Sequence, residues 1–573
     1  MASPTPALKA LIGVVVVSGL VAVGWHLGYK PYAAKRAAAD AGRPAVTASA
    51  GPAASTGSVA STGAPAKSSN GFSMPSLGGS ALGSDSNPLK VSIVSFHGYA
   101  PALVANGNSL TTKAGSLFAK EGLNVKFLLQ DDIPTLSDLF EKNIAQCAWR
   151  TSDFWAQEQP NLRNNNMDGA AVMIVDNTQG GDAIITRDPS VNSVEDLAGK
   201  RVAMLQFTPS HGMTYDAIAS SSLSARKKES VKYVFIDAAE GTSGVRAAFE
   251  AGNVEAAALW DPDLSLALRV PGSKVVYSTK TATNLIYDVM VCNQKVLKTP
   301  EGAAAVGKFV AGWMAGVEAA KANPDGAVDA LIQTQEFFKL LAQKEGKPFI
   351  KSLFTNIVWT GVADNARILG LTGGTNHYER VYTQFDQIYR AAGALANPRS
   401  PVIRASESFD YRFINALVKQ NATAAAPAAA TPAPAFTPFG LTEAVKEDKK
   451  AVTKAVQVTF PSGSAELSKR GKELIDREMV PMVDNNGSAY FELSGNTDSV
   501  GSDSGNKPLS VARAKAVRDY LVRNWEYSPS RFNVVGNGSS KPLCDERNPG
   551  ADGLDLEQCR ALNRTTRISV FQR

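Results

Sequence analysis

An acid and an arginine near the C-terminus have the types and spacing to bind a zwitterionic amino acid. Asp498 follows an apolar stretch at 489–493, and Arg513 stands in the next segment, whose apolar residues recur at helical spacing. The pattern predicts a strand, a loop with Asp498, and a helix with Asn506 and Pro508 in its cap and first turn. A carboxylate would hold the ammonium of such a ligand, and a guanidinium would hold its carboxylate. The alternative is a structural ion pair at the start of the helix.

A wider pattern surrounds this pair. Its members are Gly495, Thr497, Asp498, Gly501, Asn506, Leu509, Ser510, Arg513, Ala514, Val517, Asn563 and Arg564. The pattern resembles the OmpA-like peptidoglycan-binding domain, in which G-H-T-D-x-x-G precedes N-x-x-L-S-x-x-R-A-x-x-V and a late N-R. The resemblance covers residues 440–573 and implies an α+β domain. Two positions differ from the family, since Asn496 replaces the usual His and Thr565 replaces a second Arg.

The same resemblance implies a ligand and a set of binding residues. The ligand would be the diaminopimelate in the stem peptide of peptidoglycan. Asp498 would bind its free amine and Arg513 its carboxylate. Thr497, Asn506 and Arg564 would support these two residues.

The composition argues against several classes of function. The 573 residues are too many for a single core and indicate two to four folded units. The net charge is +6, and no basic run is interleaved with aromatic residues, so nucleic-acid binding is not expected. Four scattered His and four scattered Cys offer no metal-ligand spacing. No nucleophile–base–orienter set and no phosphate-binding Gly-rich loop is visible, so we expect neither an enzyme nor a cofactor.

The N-terminus predicts a membrane anchor followed by a long linker. Residues 8–28 are almost entirely apolar, and the run is long enough to span a bilayer. We interpret residues 1–30 as a retained transmembrane helix rather than a cleaved signal, although the basic residues after it run against the positive-inside rule. Residues 31–88 and 421–439 are rich in small residues and Pro, which is typical of disordered linkers.

Between the linkers, residues 89–420 alternate short apolar stretches with helical patterns. The predicted strands include 89–95, 125–129, 145–149, 171–175, 183–186 and 285–293. This alternation favours parallel α/β sheets, in which ligands bind beyond the carboxyl ends of the strands.

Three motifs in this block are more specific than the alternation of strands and helices. They are D-L-A-G-K-R-V at 196–202, A-G-N-V-E-A at 251–256 and W-D-P at 260–262. They resemble the signatures of periplasmic solute-binding proteins of ABC importers, of the nitrate/sulfonate/taurine and thiamine-precursor type, although Glu255 stands where that family usually has Asp. The resemblance implies a two-lobed fold that closes on a small solute. Lobe 1 would comprise 89–181 and 285–420, and lobe 2 would comprise 182–284.

Carried over by position, the wall of the cleft would hold aromatic and polar residues from several strand ends. They are Phe96, His97, Tyr99, Trp149, Asp153, Ser210, His211, Trp260 and Asp261. The helix start at 208–212 would offer backbone amides to a negative or strongly polar group. The aromatic rings could stack on a planar body, and Asp153 or Asp261 could hold a cation. The alternatives are core positions for the Trp residues and a turn before Pro262 for Asp261.

The four cysteines divide into two pairs with different expectations. Cys544 and Cys559 bracket a polar loop and are predicted to form a disulfide in an oxidising compartment. Cys147 and Cys292 lie in apolar strands and are predicted to be buried free thiols.

Together these features predict an envelope protein with an N-terminal transmembrane helix, a two-lobed α/β solute-binding-like domain and a C-terminal OmpA-like domain. We expect a single pass through the inner membrane of a Gram-negative bacterium, with most of the chain in the periplasm. The expected partners are peptidoglycan, a small organic solute, the inner membrane and other envelope proteins. A fixed receptor or sensor is the favoured function, and a structural spacer whose cleft has lost its ligand is the alternative.

Overall fold

The structure is a computed structural model, which describes residues 80–423, 450–458, 460–461 and 463–572. The predicted membrane anchor and most of the two predicted linkers lie outside these residues. Across the described ranges, no helix is long and apolar enough to cross a membrane.

The strands of the described residues form three sheets. They are β1 Leu89–Ile93, β2 Val125–Leu129, β3 Cys147–Thr151, β4 Gly169–Thr178, β5 Asp182–Thr186, β6 Arg201–Leu205, β7 Lys232–Ile236, β8 Ala256–Trp260, β9 Lys274–Ser278, β10 Tyr287–Asn293, β11 Ile357–Trp359, β12 Lys450–Val456, β13 Tyr490–Asn496, β14 Phe532–Gly538 and β15 Thr566–Phe571.

The helices connect and cover these strands. In chain order they are α1 Ala100–Ala105, α2 Leu117–Lys120, α3 Ile133–Glu141, α4 Ser152–Asn164, α5 Pro209–Ala219, α6 Ala225–Glu229, α7 Gly241–Glu250, α8 Asp263–Ala267, α9 Gln294–Leu297, α10 Pro300–Ala322, α11 Pro324–Thr334, α12 Glu336–Glu345, α13 Lys347–Leu353, α14 Val362–Ile368, α15 His377–Ala391, α16 Arg412–Thr423, α17 Lys469–Glu478, α18 Val480–Asn485, α19 Asp503–Trp525 and α20 Leu556–Asn563.

The first sheet has the strand order β11-β4-β10-β3-β1-β2. β1 runs parallel to β2 and β3, whereas β10 and β11 are antiparallel to their neighbours. The expectation of parallel sheets is therefore only partly right. The chain builds the second sheet after β4 and returns through β10, which enters the first sheet in the reverse direction.

The second sheet has the order β7-β6-β8-β5-β9 and is also mixed. β6 runs parallel to β7 and β8, and β5 is antiparallel to β8 and β9. Its core includes Ile185, Phe249 and Leu259, all of which are fully buried. Helix α7 is followed by Gly252 at φ 74°, a left-handed conformation that stops the helix before β8.

Two chain segments, 179–181 and 279–286, join the first two sheets. The carbonyl of Asn356 accepts hydrogen bonds from the backbone N–H groups of Gln179 at 2.8 Å and Gly181 at 3.0 Å. These segments lie at the base of the space between the two sheets, where strand ends from both meet.

The third sheet belongs to the C-terminal part and has the order β12-β15-β13-β14. Helix α19 packs closely on β13, because a methyl group on Gly495 would lie 2.0 Å from the carbonyl oxygen of Ser510. The predicted helix start at Asn506 and Pro508 is wrong. The helix begins at Asp503, because the Ser502 hydroxyl caps it by accepting a hydrogen bond from the N–H of Gly505.

Both pairs of cysteines form disulfides. The predicted bond between Cys544 and Cys559 is confirmed. The prediction that Cys147 and Cys292 are free thiols is wrong, because β3 and β10 are neighbours and their register places these two residues directly opposite each other.

The C-terminal domain packs against the second sheet, within a compact unit that extends from Leu82 onward. Tyr277 in β9 donates a buried hydrogen bond to Asn486 Oδ1 at 2.9 Å. The Ser488 hydroxyl donates to the carbonyl of Lys280 at 2.6 Å. The C-terminal domain therefore contacts β9 and the segment that leads from β9 back to the first sheet.

Candidate functional site

The first candidate site lies in the loop after β13, around Asp498. This buried carboxylate accepts a hydrogen bond from Arg564 Nη1 at 2.6 Å through Oδ2. Its Oδ1 accepts a hydrogen bond from the N–H of Val500 at 3.2 Å. Arg564 also donates to Glu557 at 2.5 Å, so this half-exposed guanidinium lies between two carboxylates. The direct ion-pair partner of Asp498 is thus Arg564 rather than Arg513.

Arg513 approaches the same loop from α19. Its Nε donates to the carbonyl of Ser464 at 3.1 Å, and its guanidinium lies over the ring of Phe460 at 5.0 Å. Burial lowers the pKa of Arg513, and the nearby charge of Asp498 raises it. Among the described residues, the two terminal nitrogens of Arg513 have no hydrogen-bond partner. They are therefore free to bind a carboxylate.

The supporting residues fall into two groups. Thr497 is 5% exposed, and its hydroxyl has no partner within the described part of the chain. Asn506 instead donates to the carbonyl of Val500 at 3.0 Å and so braces the loop that carries Asp498. Asn496, at the position where the family has His, donates to the carbonyl of Thr565 at 3.1 Å and is buried in the sheet.

The disulfide loop forms one edge of this site. Asn563 accepts hydrogen bonds from the N–H groups of Leu543 and Cys544 and donates to the carbonyl of Cys544. The same Asn donates to Glu546, which also accepts from Ser499 in the Asp498 loop. These contacts hold the two loops together beside Arg564.

The second candidate site is a narrow cavity between the first two sheets. Phe96, Trp149 and Trp260 contribute aromatic walls, and Asp182 and Asp288 contribute carboxyls. The remaining lining residues are Val94, Thr178, Pro209 and Ile286. Three of the predicted wall residues, Phe96, Trp149 and Trp260, therefore line this cavity.

The other predicted wall residues do not line the cavity. Tyr99 is buried behind Phe96 and against Trp313. His97 is also buried, and burial lowers its pKa to about 3. Asp261 accepts hydrogen bonds from Ser265 and, at 2.6 Å, from Asn356 Nδ2. Asp261 therefore connects β8 to the segment before β11.

Three of the predicted wall residues, Asp153, Ser210 and His211, lie where α4 faces α5. Both oxygens of Asp153 are buried, and Asp153 Oδ2 would lie 2.4 Å from a methyl group on Gly212, so this approach requires a glycine. His211 accepts a hydrogen bond from the N–H of Phe207 through Nδ1, and burial lowers its pKa to about 3. The hydroxyl of Ser210 is buried and has no partner within the described ranges.

The predicted anion site at the start of α5 has two of its N–H groups bonded within the helix. The N–H groups of His211 and Gly212 both donate to the carbonyl of Thr208, at 3.0 and 3.1 Å. The side chain of Thr208 donates to the carbonyl of Leu205 at 2.8 Å. The hydroxyl of Ser210 keeps no partner among the described residues, so it remains at this helix start to bind a polar or anionic group.

Sequence reasoning missed three carboxyls at the base of the cleft, Asp176, Asp182 and Asp288. Burial is the main cause that raises the pKa of each, and the charge of Asp288 raises the pKa of Asp176 and Asp182 further. Burial and the charge of Asp153 raise the pKa of Asp288 to about 7, although a hydrogen bond with Asp176 lowers it. A signal was present, because Asp176 and Asp288 interrupt otherwise apolar strands. Burying a carboxylate in a strand costs free energy unless the carboxylate pairs with another residue or binds a ligand.

Comparison with known proteins identifies both domains. Residues 459–553 match the OmpA family, and residues 109–327 match the NMT1/THI5-like family. The chain thus contains an OmpA-family domain at its C-terminus and an NMT1/THI5-like domain ahead of it.

The curated relatives match through the C-terminal part. Outer membrane porin F of Pseudomonas aeruginosa is 44% identical over 78 residues, which are 14% of this chain and 20% of the porin. Outer membrane protein A of Serratia odorifera is 32% identical over 129 residues, which are 22% of this chain and 51% of that protein. The chain therefore spans between a fifth and about half of the length of these relatives.

Solved structures resemble more than half of this chain. The periplasmic aliphatic sulphonate binding protein SsuA from Escherichia coli is 14% identical, with a TM-score of 0.43, over 57% of this chain and 99% of that chain. The alkanesulfonate-binding protein SsuA from Xanthomonas axonopodis pv. citri, bound to MOPS, is 14% identical with a TM-score of 0.42, over 56% and 97%.

Proposed function

We propose that this chain is a cell-envelope protein that binds peptidoglycan through its OmpA domain and a small organic solute through its NMT1/THI5-like domain. The proposal of peptidoglycan binding rests on the arrangement of residues around Asp498. A buried carboxylate and an arginine whose two terminal nitrogens have no hydrogen-bond partner among the described residues lie beside the same loop. This arrangement suits the amine and the carboxylate of diaminopimelate in a stem peptide.

In this proposal Asp498 binds the ammonium group, and the terminal nitrogens of Arg513 bind the carboxylate. The buried hydroxyl of Thr497 supplies a further hydrogen bond to the ligand. Arg564 orients the Asp498 carboxylate in the absence of ligand. Asn506 acts through the loop, which it braces, rather than by contact with the ligand.

The proposed location is the periplasm, with residues 1–30 as a single transmembrane anchor in the inner membrane. Two disulfides favour an oxidising compartment. The matched relatives are named as outer membrane proteins, which also supports a place in the envelope. A protein held at the membrane and at the wall suits a fixed receptor or sensor better than a diffusing carrier.

Co-sedimentation with diaminopimelate-type peptidoglycan tests the wall-binding half. We expect Asp498→Ala and Arg513→Ala each to lose binding by about 2–5 kcal/mol, because one charge of the bound pair is left without its partner. Arg518→Ala is the matched control, because Arg518 lies on the same helix but pairs with Asp519. Undiminished sedimentation of both variants would show that this site does not bind the wall.

A thermal-shift screen of the full chain tests the solute-binding half. A ligand at about 100 times its dissociation constant adds roughly 2.7 kcal/mol to the stability of the folded state. The screen compares organic cations, sulfonates, nitrate, amino acids and pyrimidines. If none of these compounds stabilises the chain, the result favours the alternative function, a structural spacer whose cleft binds no ligand.

A further inference from the structure

Four carboxyls stand together at the base of the cleft, and we call them the carboxyl cluster: Asp153, Asp176, Asp182 and Asp288. Asp288 in β10 pairs in register with Asp176 in β4, so these two are directly opposed on neighbouring strands. Asp182 begins β5, immediately after the segment that leaves β4. The side chain of Asp153 raises the pKa of both Asp182 and Asp288, which places its charge close to theirs.

The cluster has no cationic partner in the described part of the chain. None of its four members forms an ion pair there. Arg150 lies in the adjacent strand, but its guanidinium is already bound by Glu158, including a hydrogen bond of 2.8 Å from Nη2 to Oε1. Four neighbouring acids without a counter-charge are unfavourable in a buried site.

Some buried polar atoms in and beside this cluster lack a hydrogen-bond partner of normal geometry among the described residues, which is a sign of a ligand site. Asp182 is 2% exposed, and its Oδ1 lacks a hydrogen-bond partner of normal geometry among the described residues. The hydroxyl of Thr178, 3% exposed, lies close enough to the Asp182 carboxyl to lower its pKa, but outside normal hydrogen-bond geometry. Both residues line the cavity. Natural proteins rarely leave buried polar atoms unsatisfied without a functional reason.

The walls beside these carboxyls are aromatic and apolar. Trp149 and Asp288 line the same cavity, as do Phe96, Trp260 and Ile286. Aromatic faces attract cations, and the attraction is stronger when water is excluded. Carboxyls at one end and indole and phenyl rings around them are the complement of a positively charged head on an apolar body.

We propose that the solute of this cleft is an organic cation, an amine or quaternary ammonium compound, whose charge is neutralised by Asp182 and Asp288 between the rings of Trp149 and Trp260. This inference rests on the proposed solute-binding function and specifies its ligand class. An anionic ligand would meet the four carboxyls, and the backbone amides of His211 and Gly212 are already bonded.

The test measures binding of choline to the full chain by isothermal titration calorimetry, alongside thermal shifts with tetramethylammonium, benzyltrimethylammonium and agmatine. The matched control is 3,3-dimethylbutan-1-ol, which has the shape of choline without its charge. We expect at least one cation to stabilise the protein, and neither the neutral alcohol nor methanesulfonate to do so. Stabilisation by methanesulfonate or nitrate but by no cation would overturn the cation assignment and leave the solute-binding function intact.

Variants in the cluster separate a ligand site from a structural feature. Asp182→Asn and Asp288→Asn keep the side-chain shape and remove one charge from a group of like charges. We expect each variant to fold at least as stably as the wild type and to bind the stabilising cation at least ten-fold more weakly. Asp325→Asn, at an exposed acid on α11 that pairs with Lys351, is the control and should bind normally. Unchanged cation affinity in both cluster variants would refute the proposal, whereas stabilisation by no compound would also remove the solute-binding function.

Discussion

Asp288 and Asp153 resist ionisation in the folded protein. Burial raises the pKa of Asp288 to about 7 and that of Asp153 to about 6. These values lie above those of an unfolded chain, so the folded protein binds more protons than the unfolded chain between about pH 4 and pH 7. The stability that these two groups contribute is therefore complete below about pH 4 and is lost as the pH rises through 6 and 7.

We expect Asp288→Asn to weaken this pH dependence, because the amide does not titrate. The titratable groups that act on or near Asp288 are Asp153, Asp176, Asp182, Tyr99 and Arg150. The measurement is the melting temperature of the unliganded chain from pH 4.5 to 8. The wild type should lose stability relative to the variant as the pH rises, by at least about 1 kcal/mol in total. If the melting temperatures of the wild type and the variant change with pH in the same way, Asp288 is not the source of this pH dependence.

The buried ion pair of Arg150 and Glu158 supplies a second prediction for single residues. The side chains are 1% and 9% exposed, and Ser137 donates to Glu158 at 2.9 Å. We expect Glu158→Gln to lower the free energy of unfolding by about 3–5 kcal/mol, because the arginine would remain buried without a full counter-charge. Urea denaturation measures this loss. Lys142→Gln, which breaks an exposed pair with Asp138, should cost less than about 1 kcal/mol.

At the scale of elements, the disulfide of Cys147 and Cys292 joins two strands that are distant in sequence. β3 precedes the whole second sheet, and β10 follows it, so that the two cysteines are separated by 145 positions in the sequence. The bond of Cys544 and Cys559 closes a loop with a separation of only 15. A crosslink restricts the unfolded chain more when it closes a longer loop.

We therefore expect the double variant Cys147→Ala and Cys292→Ala to lose more stability than Cys544→Ala and Cys559→Ala. Chain entropy gives losses of roughly 5 kcal/mol for the first pair and about 3 kcal/mol for the second. Guanidinium denaturation of both variants is the measurement. A thiol assay on the unreduced, denatured wild type should find no free thiol, and a count of two would show that one of the two pairs is not bonded.

At the scale of the whole molecule, the C-terminal domain contacts parts of the chain that belong to both of the first two sheets. Asn485 donates to Gln384 in α15 at 2.8 Å, and Gln384 donates to Asp216 in α5 at 2.6 Å. Helix α5 follows β6 of the second sheet, whereas α15 follows β11 of the first. Gln384 thus connects three parts of the molecule by hydrogen bonds.

Tyr277→Phe tests the contribution of this interface. The variant leaves the Oδ1 atom of Asn486 buried without its donor, so we expect a loss of about 1–3 kcal/mol in unfolding free energy. Tyr233→Phe is the control, because the Tyr233 hydroxyl makes no hydrogen bond within the described residues and its ring contacts remain. Equal stability of the two variants would show that the Tyr277 hydrogen bond does not stabilise the molecule.

The sequence by itself determined features that depend on neighbouring residues in the chain. The loop of Asp498 between a strand and a helix, the Cys544–Cys559 bond and the motifs of both families are of this kind. Trp149 and Trp260 were also placed in the cleft from their positions at strand ends, although their role in binding stays a prediction.

Only the tertiary structure decided contacts between residues that are far apart in sequence. Arg564 reaches Asp498 across 66 positions, and Cys147 meets Cys292 because β10 returns beside β3. The carboxyl cluster likewise exists because β4, β5 and β10 converge where the sheets join. Local patterns carry no information about strand order or register, and these set which side chains face one another.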